Sequence, residues 1–343
     1  MEIHEFVPLA PRTTFHAGGN ARYFCTISTV KDLEEAIVFS NEHHLKVFVL
    51  GAGSNVLIAD SGFSGIVIHM SIQEIQWKSE NDNGIVTAGA GCSWDELVDM
   101  SVARGYWGME NLSGIPGSVG GSVVQNIGAY GKEVSSIVRE VMVFDTSRYI
   151  VRSLSRSDCR FGYRDSIFKH EEGKNLIVIS VSYNLSLTGK PDLSYTDLSN
   201  YFSATNNEYP NLREVREAVL YIRGGKFPDL TQHGTAGSYF KNPIVRKKQA
   251  ENFLKRFPEA PRYVVDEDMV KLSAGWIIDH ALGMKGSRKG QVGTWENQAL
   301  VMVNYGGANA SEIEEMAQEI QFRAKKELGI ILEPEVITIR SDK

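Results

Sequence analysis

Two glycine-rich segments carry the clearest binding chemistry in the chain. The first, 50-LGAGSNVLIADSGFSGIVI-68, places Gly51-Ala52-Gly53-Ser54-Asn55 directly after the apolar run 46–50. The backbone N–H groups of such a loop, together with its two polar side chains, can cradle an anion. A dinucleotide fingerprint would need a third glycine and a following helix. Here Val56 stands at the third position and strand-like residues follow. The segment therefore predicts an anion cradle outside a Rossmann fold, or an ordinary tight turn.

The second segment, 111-NLSGIPGSVGGSVVQNIGAYGKE-133, has six glycines in 23 residues. Its Ile115, Val119 and Val123 make it too apolar for a flexible linker. Glycines in such a setting suggest that backbone is pressed against a large ligand or another chain segment. Two such segments would suit a ligand that bears a pyrophosphate and a flat ring. The alternative is a glycine-rich turn in a β-structure.

Three further stretches hold residues suited to acid, base or carboxylate chemistry. The first, 160-RFGYRDSIFK-169, supplies Arg164, whose permanent charge can bind a carboxylate bidentately or form a structural ion pair with Asp165 or Asp158. The second, 237-GSYFKNP-243, supplies Ser238, which is either a weak acid or a hydroxyl that satisfies a turn.

The third stretch, 332-LEPEV-336, supplies two carboxylates. Glu333 and Glu335 lie on the same face of a strand, because side chains two residues apart point the same way. Spacing alone therefore does not choose between them.

The charge distribution narrows the kind of ligand. A net charge of −6 on 343 residues argues against a general nucleic-acid or anionic-membrane binder. The span 226–289 nevertheless has 12 Lys and Arg against 7 Asp and Glu. This local basic excess suits a polyanionic small molecule, or it is a solvated face.

The elements that must position these residues predict an α+β fold. Hydrophobic periodicity and capping residues indicate helices at 29–44, 97–104, 211–223, 247–257, 274–282 and 311–328. Ser93 with Glu96 and Ser311 with Glu314 resemble capping boxes. Alternating or β-branched runs predict strands at 46–50, 56–58, 65–68, 85–88 and 330–339, and across much of 134–187.

Cysteine usage and hydropathy indicate a reducing compartment. Cys25, Cys92 and Cys159 are far apart and form no CxxC site, so we expect reduced, partly buried thiols and no metal centre. The N-terminal residues lack the pattern of a signal peptide, and no apolar run approaches the roughly 20 residues of a membrane span. We expect a cytoplasmic protein without membrane insertion.

The five stretches occur in an order and spacing that resemble the UDP-N-acetylenolpyruvoylglucosamine reductase family of bacterial peptidoglycan precursor synthesis, and the resemblance extends from Thr13 to Val336. It implies a vanillyl-alcohol-oxidase/PCMH-type two-lobed FAD-binding domain at 12–186, with lobes at 12–70 and 71–186. It also implies a Tyr loop and connecting helix at 187–225, and a smaller C-terminal α/β substrate domain at 226–343. The family reduces the enolpyruvyl ether of UDP-N-acetylenolpyruvoylglucosamine to UDP-N-acetylmuramate with NADPH as co-substrate, through non-covalent FAD.

By this resemblance the catalytic residues are Arg164, Ser238 as proton donor, and Glu335, so the motif selects Glu335 over Glu333. Tyr195 belongs to the loop that closes over the substrate in one branch of the family, and Tyr163, Lys226, Asn242 and Gln298 match the substrate and NADPH site. The expected FAD contacts are Gly51, Ala52, Gly53, Ser54, Asn55, Val56, Ile115, Gly117, Ser118, Gly120, Gly121, Asn126 and Gly128. One departure from the family pattern is Ile337, which stands where a basic residue often follows the glutamate.

The expected partners are the UDP-sugar and NADPH, with no nucleic acid, and the chain is expected to be a monomer. Arg246-Lys247-Lys248 and the span 285–289 are candidate contacts for the anionic groups. The alternative function is another FAD-dependent oxidoreductase of the same fold acting on an alcohol or sugar. A UDP-sugar-binding protein without flavin is a third possibility.

Overall fold

A computed structural model describes residues 1–80 and 82–341 of the chain. Its strands, in chain order, are β1 Ile3–Pro8, β2 Asn20–Ile27, β3 Val47–Leu50, β4 Val56–Ile58, β5 Phe63–Met70, β6 Ile75–Glu80, β7 Asn83–Gly89, β8 Gly128–Ala129, β9 Lys132–Glu133, β10 Val138–Asp145, β11 Ile150–Ser155, β12 Leu176–Ser186, β13 Ile244–Arg246, β14 Arg262–Val264, β15 Met269–Leu272, β16 Arg288–Lys289, β17 Val292–Thr294, β18 Met302–Asn304 and β19 Ile337–Ile339.

The helices are α1 Val30–Glu42, α2 Trp94–Ala103, α3 Val119–Gln125, α4 Thr196–Ala204, α5 Leu212–Lys226, α6 Lys247–Arg256, α7 Ala274–Trp276 and α8 Ala310–Leu328. A π-helical stretch, Ile277–Ala281, continues α7. Short 3-10 turns lie at Ala10–Arg12, Glu110–Leu112, Val134–Ser136, Ile167–Lys169 and Glu171–Gly173.

The chain divides into two compact units. The first consists of Met1–Val7, Ala21–Ala52 and Ser64–Arg223. The second consists of Pro8–Asn20, Gly53–Phe63 and the chain from Gly224 onward. The domain bounds predicted from the sequence stay a prediction.

Two sheets organise the first unit. One has the order β1-β2-β5-β3, with β3 parallel to β5. The other has the order β11-β10-β12-β7-β6 and is antiparallel throughout. The helix α1 begins at a capping box, in which the side chains of Thr29 and Asp32 each accept a hydrogen bond from the other's backbone amide. Its apolar face buries Leu33, Ala36 and Ile37. Trp94 and Tyr183 are fully buried and pack edge to face, with ring centroids 5.8 Å apart.

The second unit is built from short strands and three helices. Its sheets have the orders β13-β15-β14 and β16-β17-β18, and β19 pairs in parallel with β4. Buried side chains from the segment 236–240, the π-helix and α8 form part of its core, among them Phe240, Ile277 and Ile320. The strand β4 follows the first glycine loop, which confirms that no helix begins there.

Three local predictions were wrong. Ser311 and Glu314 do not cap α8; Asn309 and Glu312 form the capping box, because asparagine caps as well as serine and the glutamate falls at the third helical position. The predicted strand 330–339 shortens to β19, since Pro334 cannot donate to a ladder. The glycine segment 111–133 is not one loop, because α3 runs through its middle.

Candidate active site

The two glycine segments meet in the first unit. A Cβ added at Gly51 would lie 2.5 Å from the hydroxyl oxygen of Ser118, and one at Gly120 would lie 2.9 Å from Cβ of Ala90. Ser118 is the N-cap of α3 and accepts a hydrogen bond from the amide of Gly121 at 3.3 Å. The close approach predicted from the glycine content is therefore, at these two positions, an approach to other chain segments. The space beside the backbone at Gly51 would be closed by any larger residue.

The second half of the first loop belongs to the second unit. Gly53 has φ +66°, and a Cβ there would lie 2.2 Å from the carbonyl oxygen of Arg12. The side-chain amide of Asn55 donates to the backbone carbonyl oxygen of Glu335 at 3.2 Å. The backbone carbonyl of Asn55 accepts from the amide of Ile337 at 3.0 Å. Asn55, predicted to contact the cofactor, thus also anchors the segment that carries Glu335.

Arg164 lies in a tight turn of the first unit. The amide and carbonyl of Gly162 exchange hydrogen bonds with those of Asp165 at 3.0 and 3.1 Å. The backbone of Arg164 is left-handed, with φ +53°. Its guanidinium donates to the carbonyl oxygen of Gly128 at 2.6 Å and lies over the ring of Tyr163, 5.3 Å from the centroid. The predicted arginine is thereby tied to the end of the second glycine segment.

The two aspartates considered as partners of this arginine have contacts elsewhere. The carboxylate of Asp165 lies 2.8 Å from the imidazole of His170. That of Asp158 accepts from the hydroxyl and amide of Ser155, and these bonds hold its pKa below the ordinary value.

Backbone pairing sets the segments that carry Ser238 and Glu335 side by side in the second unit. The amide of Glu335 donates to the carbonyl of Tyr239 at 2.7 Å, and the amide of Tyr239 donates to Leu300 at 2.9 Å. Ser238 itself bridges to Val301. Glu335 is half-buried, whereas Glu333 is exposed. The side chain selected by the motif is therefore the less solvated of the two carboxylates.

Tyr195 occupies a loop that is fixed from several sides. The tyrosine is 40% exposed and packs edge to face on Tyr130, with centroids 5.3 Å apart. The carbonyls of Tyr130 and Asp192 both accept from the side chain of Asn111 at 2.9 Å. Lys132 forms an ion pair with Asp192 at 2.8 Å. The hydrogen bond from Lys132, followed by that from Ser194, lowers the pKa of Asp192 to about 2.

The remaining predicted substrate residues lie on different elements of the second unit. Lys226 is the last residue of α5 and is half-buried. The side-chain oxygen of Asn242 accepts from the amide of Ala274 at 2.9 Å, at the start of α7. The side-chain oxygen of Gln298 lies 2.9 Å from the position that a Cβ would take at Gly275. Asn242 and Gln298 therefore both border the region where α7 begins.

The basic residues predicted to contact the anionic groups of the ligands fall into two groups. Arg246 and Lys248 line a cavity of about 480 Å³ together with Arg256. Lys285 is paired with Asp279 at 2.7 Å, and Lys289 lies 3.7 Å from Glu315.

Sequence reasoning missed the residues that support Arg164. Ser166 and Lys169 donate to backbone carbonyls of the glycine segment and of Arg164. Asn126, predicted as a cofactor contact, has its side chain bonded inside the protein, to Gly162, Glu133 and Ser135. The sequence could have indicated Ser166 and Lys169, because both lie inside the motif that supplied Arg164.

Within residues 1–80 and 82–341, no helix is long and apolar enough to cross a membrane. No cluster of three or more His, Cys, Asp or Glu side chains in that part of the chain could hold a metal ion. All three cysteines are free and buried, and burial raises the pKa of Cys25 and of Cys159 to about 12.

Comparison with known proteins identifies the class of protein to which the first half of the chain belongs. A family model described as an FAD binding domain matches residues 21–152. Together with the mixed helix and strand content, this match gives an FAD-binding domain of the vanillyl-alcohol-oxidase/PCMH type, followed by a C-terminal domain. The α+β fold class expected from the sequence is confirmed.

The family follows from the C-terminal domain and the relatives. The model described as UDP-N-acetylenolpyruvoylglucosamine reductase, C-terminal domain, matches residues 229–339. Proteins named UDP-N-acetylenolpyruvoylglucosamine reductase from Chromobacterium violaceum and Pseudomonas aeruginosa are 39% and 38% identical to this chain, over 99% and 98% of both lengths. A crystal structure of that reductase from Thermus caldophilus covers 99% of this chain and all of its own, with a TM-score of 0.70 and 26% identity. The chain belongs to the UDP-N-acetylenolpyruvoylglucosamine reductase family.

Proposed function

We propose that this chain reduces the enolpyruvyl ether of UDP-N-acetylenolpyruvoylglucosamine to UDP-N-acetylmuramate with NADPH, using non-covalently bound FAD. The observation that carries the proposal is full-length similarity to reductases of that name, with an FAD-binding domain in the first half. The reaction serves peptidoglycan precursor synthesis.

The residues of the glycine segments fit FAD. The loop from Gly51 to Val56 remains half-exposed apart from Gly53, so its polar groups can face a ligand. We assign the pyrophosphate to this loop and the flavin to the segment around Ile115, Gly117, Ser118, Gly121 and Gly128. Bound FAD would supply the hydride-transfer chemistry between NADPH and the enolpyruvyl β-carbon.

Arg164 is assigned to the substrate carboxylate. Hydride addition at the β-carbon leaves negative charge on the adjacent carbon and, through conjugation, on the carboxylate. A permanently charged, planar guanidinium stabilises that charge without a proton transfer. The bond from Arg164 to the carbonyl of Gly128 orients this guanidinium at the end of the glycine segment.

Ser238 is assigned as the proton donor and Glu335 as its partner in stabilising the developing enol. A hydroxyl is a weak acid, but its proton transfer becomes favourable when the acceptor is a strongly basic carbanion. The pairing of Glu335 with Tyr239 places these two residues on adjoining backbone segments. Tyr163, Tyr195, Lys226, Asn242 and Gln298 are assigned to the UDP-sugar and NADPH.

An anaerobic experiment tests this function. The purified protein is reduced with NADPH until the flavin absorbance near 450 nm is lost, and the enolpyruvyl UDP-sugar is then added. We expect the absorbance to return, with one equivalent of UDP-N-acetylmuramate formed. No return would overturn the proposal. Loss of absorbance when an alcohol or sugar is added to the oxidised protein, followed by rapid return in oxygen, would instead assign another flavin-dependent oxidation. A purified protein without flavin would also contradict it.

The cytoplasmic location and the monomeric state stay part of this proposal. Light scattering of the purified flavoprotein during size-exclusion chromatography measures its mass in solution and so tests the monomeric state. A mass near 38.1 kDa is the expected result.

A further inference from the structure

The motif around Arg164 contains a lysine that the proposed reaction does not use. Lys169 ends the 3-10 turn Ile167–Lys169 and is half-buried. Its ammonium donates to the backbone carbonyl of Arg164 at 2.9 Å and to the side-chain oxygen of Gln125 at 3.0 Å. It therefore connects the backbone of the predicted catalytic arginine to the last residue of α3.

The backbone that Lys169 holds is a strained one. A left-handed conformation is unfavourable for a residue with a Cβ, because the Cβ comes too close to the following carbonyl oxygen. Arg164 has φ +53°, and Gly162 and Asp165 close the turn on either side of it. Such conformations persist when the surrounding structure determines them from several sides, and they cluster at functional sites.

Three consecutive residues at the end of α3 contact this turn. The carbonyl of Val124 accepts from the hydroxyl of Ser166 at 2.7 Å. The side chain of Asn126, which is fully buried, donates to the carbonyl of Gly162 at 2.7 Å. Gln125 accepts from Lys169. The turn is thus fixed before, at and after Arg164 by the helix within the second glycine segment.

Of these contacts, the one from Lys169 is charged and is made to Arg164 itself. Hydrogen bonds from an ionised donor are roughly twice as strong as neutral ones. The ammonium holds the carbonyl of Arg164 in the direction that the left-handed conformation requires. Relaxation of the residue to a right-handed or extended conformation would turn that carbonyl away and move the guanidinium.

We propose that Lys169 is a positioning residue for Arg164. Its ammonium, bonded to the carbonyl of Arg164 and to Gln125, holds the left-handed turn that aims the guanidinium at the substrate carboxylate. This inference rests on the proposed function, because it takes Arg164 as the group that binds the carboxylate.

The first test replaces the ammonium by an apolar group of similar length, Lys169→Met. We expect reoxidation of the reduced flavin by the enolpyruvyl UDP-sugar to slow by about tenfold or more, because a misplaced clamp costs transition-state stabilisation. Flavin reduction by NADPH should stay within about twofold of the parent rate. Calorimetry should show correspondingly weaker binding of UDP-N-acetylmuramate to the oxidised protein, a readout that needs no turnover.

Lys174→Met is the matched control. Lys174 lies five residues further along and is exposed, and its ammonium contacts the side chain of Glu171 at 2.7 Å. Its removal should leave both half-reactions and the calorimetric affinity unchanged. Lys169→Gln, which keeps a neutral donor, serves if the Met variant fails to retain FAD, and it should show the same selective loss at smaller size. Equal slowing of both half-reactions in either variant would overturn the inference.

A double-mutant cycle with Arg164→Ala separates this inference from the proposed function. If Lys169 acts through Arg164, Lys169→Met should have little further effect on reoxidation in the Arg164→Ala background. An undiminished effect there would overturn the positioning role while leaving the function intact. If Arg164→Ala alone leaves reoxidation and product binding unchanged, the assignment of Arg164 in the proposed function fails instead.

Discussion

The two regions that carry the predicted catalytic residues are held by different kinds of bonds. Around Arg164, side chains from the end of α3 and from the turn itself bond to backbone carbonyls and stabilise a left-handed residue. Around Ser238 and Glu335, amides and carbonyls of neighbouring segments pair with one another, and the side chain of Asn55 adds one bond to the carbonyl of Glu335. The first arrangement depends on the identity of a few side chains. The second depends mainly on the path of the backbone.

This difference predicts which substitutions each region tolerates. In the arginine turn, loss of one hydroxyl or ammonium should move the catalytic group. In the serine segment, loss of a side chain should remove only that side chain's own chemistry, whereas a backbone change should disturb the pairing.

The largest effect is expected from Ser238→Ala. Backbone pairing should keep the segment in place, so the variant loses only the proton donor. General acid catalysis typically contributes ~10²–10⁴-fold. Stopped-flow absorbance should show reoxidation by the enolpyruvyl substrate slowed by about that factor, with flavin reduction by NADPH unchanged. Similar losses in both half-reactions would mean that the hydroxyl has a structural role.

A backbone change beside the same serine comes next. Gly237 has φ +74° and no atoms near the position of an added Cβ, so Gly237→Ala introduces strain without a clash. We expect the free energy of unfolding to fall by about 1–2 kcal/mol. Gly224→Ala is the control, because its φ is not in the left-handed range and its Cβ would also meet open space. Equal urea midpoints for the two variants would contradict the prediction.

Ser166→Ala tests the arginine turn through a neutral bond. Ser166 is fully buried, and its hydroxyl donates to Val124. Loss of that bond should cost about 1 kcal/mol and slow reoxidation by several-fold, less than the loss of Lys169. The exposed Ser136 donates to the carbonyl of Glu133 at 2.7 Å, so Ser136→Ala should change neither quantity. If the serine substitution exceeds Lys169→Met in its selective effect, the ammonium is not the main support.

The smallest effect concerns acidity at the Tyr195 loop. Lys132 and Ser194 lower the pKa of Asp192 to about 2. The ordinary value for an aspartate is about 3.9. A carboxyl whose pKa is depressed on folding stabilises the fold above the unfolded value, and this contribution is lost as pH falls toward the folded value. Asp192→Asn should therefore make unfolding less pH-dependent between about pH 4 and pH 2. Parallel stability curves for variant and parent would count against this role.

The local signals in the sequence were reliable where one segment decides its own structure. The capping residues and apolar face of α1 predicted the helix. The absence of a third glycine correctly excluded a dinucleotide fold, because a strand follows the loop. The start of α8 was misplaced because two overlapping capping patterns are present. Ser311, which was predicted to cap the helix, instead donates its amide and hydroxyl to the carboxylate of Asp60.

Residue types and spacings within short segments were enough to predict many of the helices and strands, the α+β class and, through ordered motifs, the family. They did not predict that α3 interrupts the glycine segment, that Glu335 is less exposed than Glu333, or that Lys169 bonds to the carbonyl of Arg164, because these features arise from packing. The decisive hydrogen bonds join residues such as Val124 and Ser166, 42 positions apart, or Asn55 and Glu335, 280 positions apart. No periodicity or turn rule reaches that far, because such contacts exist only once the segments have packed.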